Sequence, residues 1–324
     1  MTMTSKIAAV PETPFDLDND DLYQYWRDTK LLDYPETLAD LVVEINDPRK
    51  LTETEHQKLL SVCQKANMVI YAGKTGDDPD SEIPLAMGRA FNLTELDHNW
   101  LADASGLTSL TVVDGGDREK YIPYSNRAIN WHTDGYYNTP DKQIHGLNLH
   151  CVMPAPEGGE NRLMDHEIVY SLLRDKNPDY IRALMADDVM IIPSRMGKDG
   201  VIARKEEVGP VFSVNPVSGD LHMRYTIRTR NVIWKDDPLT LEALKELENL
   251  LESDSNYNYQ GKLQSGMGLV SNNVLHDRSA FDDNEQQKRL LYRARYYARL
   301  AGTSVNEVYD FLNFKGRERN NLGK

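Results

Sequence analysis

The sequence predicts a mainly β chain with helices, its core a β-sandwich or barrel buttressed by helical segments. Three observations carry this reading. Short apolar or β-branched runs bounded by turn residues crowd the chain after residue 120. Helical periodicity is confined to the first third and to two later insertions. A chain of 324 residues with 40% apolar content can also bury a large core without disulfide or metal staples.

Residues 1–19, rich in Pro, Thr and Asp, read as a flexible lead-in to one domain spanning 20–324. That domain divides into a helical part over 20–119, a β core over 120–300 and a C-terminal tail over 301–324. Thr52 and Glu55 form a capping box ahead of Leu59, Leu60 and Cys63, which share one helical face. The stretches 68–71 and 107–113 read as strands, being short, apolar or β-branched, and bounded by Gly and Asp. Further strands are expected over 129–134, 144–152, 188–193, 210–215, 221–230, 268–276 and 289–299. Ser218-Gly219 supplies the turn that joins 210–215 to 221–230 as a hairpin. Helical insertions are expected over about 165–186, starting near Asp165, and over 238–252, where Leu241, Leu244, Leu247 and Leu251 recur at helical spacing.

Composition narrows the function. Cys63 and Cys151 are the sole cysteines, which rules out a disulfide framework and an all-cysteine zinc site. With 51 acidic against 37 basic residues the chain carries −14, which opposes binding to nucleic acid. No apolar run is long enough to span a membrane, and the N-terminus lacks a signal-like apolar segment, so the expected location is the cytoplasm. The partner expected is therefore a small molecule. An acidic surface still leaves room for a homo-oligomer through a specific apolar interface.

The chemistry centres on Asn130-Trp131-His132-Thr133-Asp134-Gly135. On a strand, His132 and Asp134 project from one face and reach one point. A His-x-Asp pair alone is equally at home on a surface or in a satisfied core. On the stretch 268–276, Asn272, Val274 and His276 would share a face and bring a second imidazole. Two His and one carboxylate on one side of an octahedron leave three positions open, the arrangement of non-haem Fe(II) oxygenases. Arg289, Arg293 and Arg295 then alternate with Leu290, Tyr292 and Ala294, so all three guanidinium forks point one way. They suit a dicarboxylate co-substrate held at its far end; the competing reading is a charged edge strand.

In this order the motifs resemble the Fe(II)/2-oxoglutarate-dependent dioxygenases of the taurine dioxygenase and γ-butyrobetaine hydroxylase superfamily. The resemblance covers about 120–300 through the motif above, Leu149-His150-Cys151, Gly158-Gly159-Glu160-Asn161 with Asp165, Asn272 to Arg278, and the Arg289/Arg293 pair. It implies a double-stranded β-helix, or jelly-roll, with Fe(II) held by His132, Asp134 and His276. Arg289 would hold the distal carboxylate of 2-oxoglutarate, assisted by Asn161 where the family pattern has Thr, and Arg293 would face either that co-substrate or an anionic prime substrate. The implied reaction consumes O2 and 2-oxoglutarate, releases succinate and CO2, and hydroxylates a C–H bond of a small anionic or zwitterionic metabolite. The carboxylate of Asp134 favours hydroxylation over halogen transfer.

For the substrate itself, Arg224, Thr226, Arg228 and Arg230 share one face of 221–230, which suits either an anion at the jelly-roll mouth or a solvated surface. Trp131, Tyr136 and Tyr137 could cage a quaternary ammonium group or simply pack the core. Two further classes stay open: a metal-dependent jelly-roll isomerase or dioxygenase that does not use 2-oxoglutarate, and a non-catalytic binding module on the same fold. His56, His98, His166 and His222 read as structural or exposed, His150 as a core residue, and both cysteines as buried and unreactive.

Overall fold

The computed structural model describes residues 12–98, 106–113, 115, 121–197, 200–227, 232–309 and 311. Two sheets face each other. The larger runs Val42–Glu44, Met68–Ala72, Met267–Ser271, Gly146–Met153, Leu290–Tyr296, Thr108–Leu110 in spatial order. Its first pair is parallel and the others antiparallel. The smaller sheet, antiparallel throughout, runs Tyr259–Gly261, Asn161–Met164, Leu275–Arg278, Ile129–His132.

Side-chain alternation decides what each face meets. Ile70, Leu147, Leu149, Leu269 and Leu291 from the larger sheet pack inward against Leu163 and Leu275 of the smaller. Their neighbours Val69, Tyr71, Val270, Ala294 and Tyr296 point outward, where they meet Leu59, Cys63 and Met87 from two helices, Glu53–Ala66 and Glu82–Ala90. The first of these helices opens on the expected Thr52/Glu55 capping box and ends where Asn67 turns left-handed at φ 57°. Both cysteines are buried, and burial pushes both thiols up, Cys151 to about 12.

Several elements differ from expectation, each for a physical reason. The stretch 268–276 is two strands, Met267–Ser271 in one sheet and Leu275–Arg278 in the other. Asn273 breaks it at φ 53°, a conformation asparagine tolerates. Asn272 is therefore not on a common strand face with His276; its amide bonds Asn67 and Thr303. The strand expected over 129–134 stops at His132, and Asp134 lies in the turn that follows. The segments 107–113 and 289–299 shrink to Thr108–Leu110 and Leu290–Tyr296. The hairpin around Ser218-Gly219 forms, as Phe212–Val214 paired with Leu221–Met223. Leu241 is 46% exposed because it sits about 100° of helical turn from Thr240, at the centre of the buried stripe of Pro238–Leu251. Phe15, inside the expected lead-in, is buried against Trp26 and Tyr170.

Behind the smaller sheet a buried ionic cluster ties the first helix to the core. Lys30, on Asp20–Leu31, is 1% exposed and lies 2.8 Å from Asp165 and 2.6 Å from Glu167. Asp165 also caps His166–Lys176 through the Glu167 amide. Removing one partner of a buried pair strands the other charge. Lys30→Met should therefore cost about 3–5 kcal/mol in urea unfolding, whereas an exposed pair such as Lys235–Asp188 should be worth less than about 1 kcal/mol.

Candidate active site

His132 and His276 are direct cross-strand partners in the smaller sheet, their rings 4.3 Å apart. His132 Nδ1 lies 2.9 Å from the Asn130 carbonyl and His276 Nδ1 lies 3.0 Å from that of Val274. A carbonyl only accepts, so each Nδ1–H donates, and the Nε2 lone pair is left free on both rings. Burial, with His276 beside it, pushes His132 down to about 3, so the ring is neutral near pH 7.

Asp134 reaches the same place from its turn. Its backbone N–H donates to Asn273 Oδ1 at 2.8 Å, while Asn273 Nδ2 donates to the carbonyls of Asp134 and Ile144 at 2.9 and 2.7 Å. Gly135 makes the turn possible: it sits at φ 69°, and a Cβ there would fall 2.4 Å from Ile144. Burial works against ionisation of Asp134, yet Arg293 and Arg295 hold the carboxyl well below the usual range. Arg293 donates to its Oδ1 at 3.0 Å and Arg295 stands 3.7 Å away. The other oxygen, Oδ2, is buried without a hydrogen-bond partner, 4.0 Å from His276 Nε2. The three groups thus converge without closing. Among the described residues, no set of three His, Cys, Asp or Glu side chains is arranged tightly enough to hold a metal ion as it stands.

Next to the histidines, a cavity between the sheets is lined by Leu149, Asn161, Arg278, Arg289, Leu291 and Arg293. Arg289 is 4% exposed. Its Nη1 has no hydrogen-bond partner, its guanidinium lies 5.0 Å from the Phe281 ring centre, and burial lowers it to about 10. Arg278 approaches the same ring at 4.8 Å and is lowered to about 9 by burial and by Arg289. The Gly-Gly turn sets this geometry. Gly158 pairs with Phe281, and a Cβ on it would meet the Ala280 carbonyl at 2.2 Å. Asn161 follows, lining the cavity while its Nδ2 donates to the Asp277 carbonyl at 2.6 Å.

The remaining candidates separate. Trp131 is 1% exposed beneath Arg162, at 4.8 Å, and does not line this cavity. Tyr136 and Tyr137 meet edge to face, and Tyr137 Oη accepts from Arg295 at 3.0 Å. Arg295 also pairs with Asp97. Arg228 and Arg230 lie outside the described residues. Arg224 spends its guanidinium on the carbonyls of Tyr136, Met190 and Glu207. Sequence reasoning gave no role to Asn273, Arg278 or Phe281. Arg278 carried a signal, since it follows His276 by two on one strand and so shares its face.

A family model, "Taurine catabolism dioxygenase TauD, TfdA family", matches residues 41–295. The chain belongs to the TauD, TfdA family. Among proteins with curated descriptions, it is 29% identical over 173 residues to a uridine-5'-phosphate dioxygenase of Amycolatopsis sp, a match covering 51% of this chain and 60% of the relative. It is 28% identical over 199 residues to one of Streptomyces sp, covering 59% and 69%. The chain thus matches less than two thirds of the Amycolatopsis protein. Two solved structures share its jelly-roll fold. Asparagine oxygenase, in complex with Fe(II), 2S,3S-3-hydroxyasparagine and succinate, aligns at TM-score 0.56 and 13% identity over 89% of this chain and 86% of its own. AAD-2, in complex with Mn(II) and N-oxalylglycine, aligns at TM-score 0.56 and 15% identity over 81% and 96%.

Proposed function

We propose that the chain is an Fe(II)/2-oxoglutarate-dependent dioxygenase that hydroxylates a C–H bond of a small anionic or zwitterionic metabolite and releases succinate and CO2. One observation carries the reading. Arg289 is a buried guanidinium with an unpartnered Nη1, and it shares a cavity with two histidines whose Nε2 atoms are free. A buried charge of this kind is costly unless a ligand pairs with it, and a carboxylate fits its fork.

His132, Asp134 and His276 would hold the iron. A neutral His132 imidazole, a free Nε2 on His276 and an ionised carboxylate with an orphaned oxygen are groups suited to metal ligation. Iron(II), bound with 2-oxoglutarate, supplies the O2 activation that couples decarboxylation of the keto acid to oxidation of the substrate. The chain's own residues position the reactants. Arg289 pairs with the distal carboxylate of 2-oxoglutarate. Asn161 lines the same cavity, with one amide N–H already committed to Asp277. Arg293 orients the Asp134 carboxylate through Oδ1, which turns Oδ2 toward His276. Leu149 and Leu291 keep the cavity wall apolar and limit water.

The relatives named for uridine-5'-phosphate make a phosphorylated metabolite the favoured substrate class. A small-molecule partner rather than nucleic acid agrees with the net charge of −14. Among the described residues no helix is long and apolar enough to cross a membrane, and two free, buried thiols fit a cytoplasmic location.

An anaerobic titration with Fe(II) and 2-oxoglutarate, followed by visible absorption, tests the assignment. A weak charge-transfer band that needs both components is the expected result; tight metal binding without the band would point to chemistry independent of 2-oxoglutarate. Asn273→Ala removes the clamp that fixes the Asp134 turn. Outer partners of ligands typically matter on the order of 10–100-fold, so Fe(II) affinity should fall by about that much in chelator competition.

A further inference from the structure

A second arginine pair stands at the rim of the site. Arg195–Met196 and Ile202–Arg204 form a two-stranded antiparallel ribbon. Ile202 pairs with Met196, so regular pairing would place Ala203 opposite Arg195. A bulge shifts the register instead and sets Arg204 opposite Arg195. Because facing follows register, this one extra residue puts both guanidiniums on the same side of the ribbon. Like charges directly opposite are destabilising unless something neutralises them. Among the described residues neither arginine pairs with a carboxylate.

Both arginines contact residues that adjoin the site. Arg195 donates to Tyr121 Oη at 2.7 Å, two residues before Pro123 in the cavity wall. The Arg204 guanidinium lies 5.6 Å from the Tyr137 ring centre, with Nη2 donating to the Pro193 carbonyl at 2.7 Å and Nε buried without a partner. Tyr137 in turn accepts from Arg295, beside Asp134. Two facing forks with donors to spare suit a dianion, which one guanidinium would leave half-neutralised. The chain's overall −14 disfavours an extended polyanion as the occupant.

We infer that Arg195 and Arg204 seat the phosphate-monoester end of the prime substrate at the mouth of the site. This rests on the oxygenase reading, and the test keeps the two apart. Phosphorus NMR would follow inorganic phosphate and uridine 5'-phosphate added to the full chain with saturating 2-oxoglutarate, which occupies Arg289. Saturable binding at millimolar phosphate is expected. Arg195→Gln and Arg204→Gln should each weaken it about tenfold, the loss of one charge-assisted hydrogen bond, and the double variant should abolish it.

Unchanged binding in the double variant, or none in the parent, would overturn the inference. So would inorganic phosphate binding as tightly as the nucleotide, since the seat would then serve free phosphate rather than an ester. The Fe(II)/2-oxoglutarate absorption band should survive in the double variant. Its absence from the parent as well would sink the oxygenase reading while leaving the phosphate result standing.

Discussion

Arg289→Met should abolish 2-oxoglutarate turnover while leaving Fe(II) binding in place. Truncating one member of a buried charge pair costs about 2–5 kcal/mol, so binding of 2-oxoglutarate should weaken by roughly 30-fold to several thousandfold. Measuring 2-oxoglutarate affinity beside iron affinity separates this from general damage. The same variant makes an opposite prediction for stability. Arg289 is buried against Phe281 with an unpartnered Nη1, so its charge is a liability until a ligand arrives. Thermal unfolding without 2-oxoglutarate should therefore show the variant no less stable than the parent. Adding 2-oxoglutarate should raise the melting temperature of the parent alone, because only there does the folded state bind it. A variant that melts earlier without ligand would mean Arg289 is a structural residue, and would sink its role as the carboxylate anchor.

The second large effect separates the proposed iron ligands from one another. His132→Ala and Asp134→Ala should both eliminate succinate formation. Their stabilities should part company. His132 is neutral, so its loss strands no charge. Asp134 faces Arg293 at 3.0 Å and Arg295 at 3.7 Å in a buried setting. Its removal leaves Arg293 uncompensated and Arg295 with Asp97 alone, a cost of about 3–5 kcal/mol by urea unfolding. Equal stability losses in the two variants would mean that the carboxylate is not neutralising these arginines.

Residue type and order made much of this legible in the sequence. His132, Asp134, His276 and Arg289 could be named because each brings chemistry that few other side chains supply. The jelly-roll followed from their resemblance to a family and from dense short strands. How the side chains meet was less visible. Strand alternation puts His132 with Asp134 on one face and Asn272 with His276 on another, and says nothing of the pairing of His132 with His276. In the structure, Asp134 sits in a turn, and Asn273 breaks the distal segment so that His276 enters the opposite sheet. An asparagine with positive φ looks like any other asparagine in a sequence. Lys30 carried no signal for Asp165 and Glu167, since the chain between them spans much of the fold. Nothing in the sequence marks Arg195 and Arg204, because their confrontation depends on one bulged residue.

The crossing at Asn272–Asn273 bears on how slowly the centre can come apart. The Asn272 amide donates to the Asn67 carbonyl, and its side chain reaches Thr303 and the amide of Leu300. Asn273 holds Asp134 and Ile144. Two adjacent residues thus bolt together the C-terminal segment, the first helical layer and the turn that carries Asp134. Amide protons here should exchange only through whole-domain opening, at the slow end of the molecule's spectrum of fluctuations. The frame beneath Asp134 would then give way only when the molecule as a whole opens, and not by local breathing.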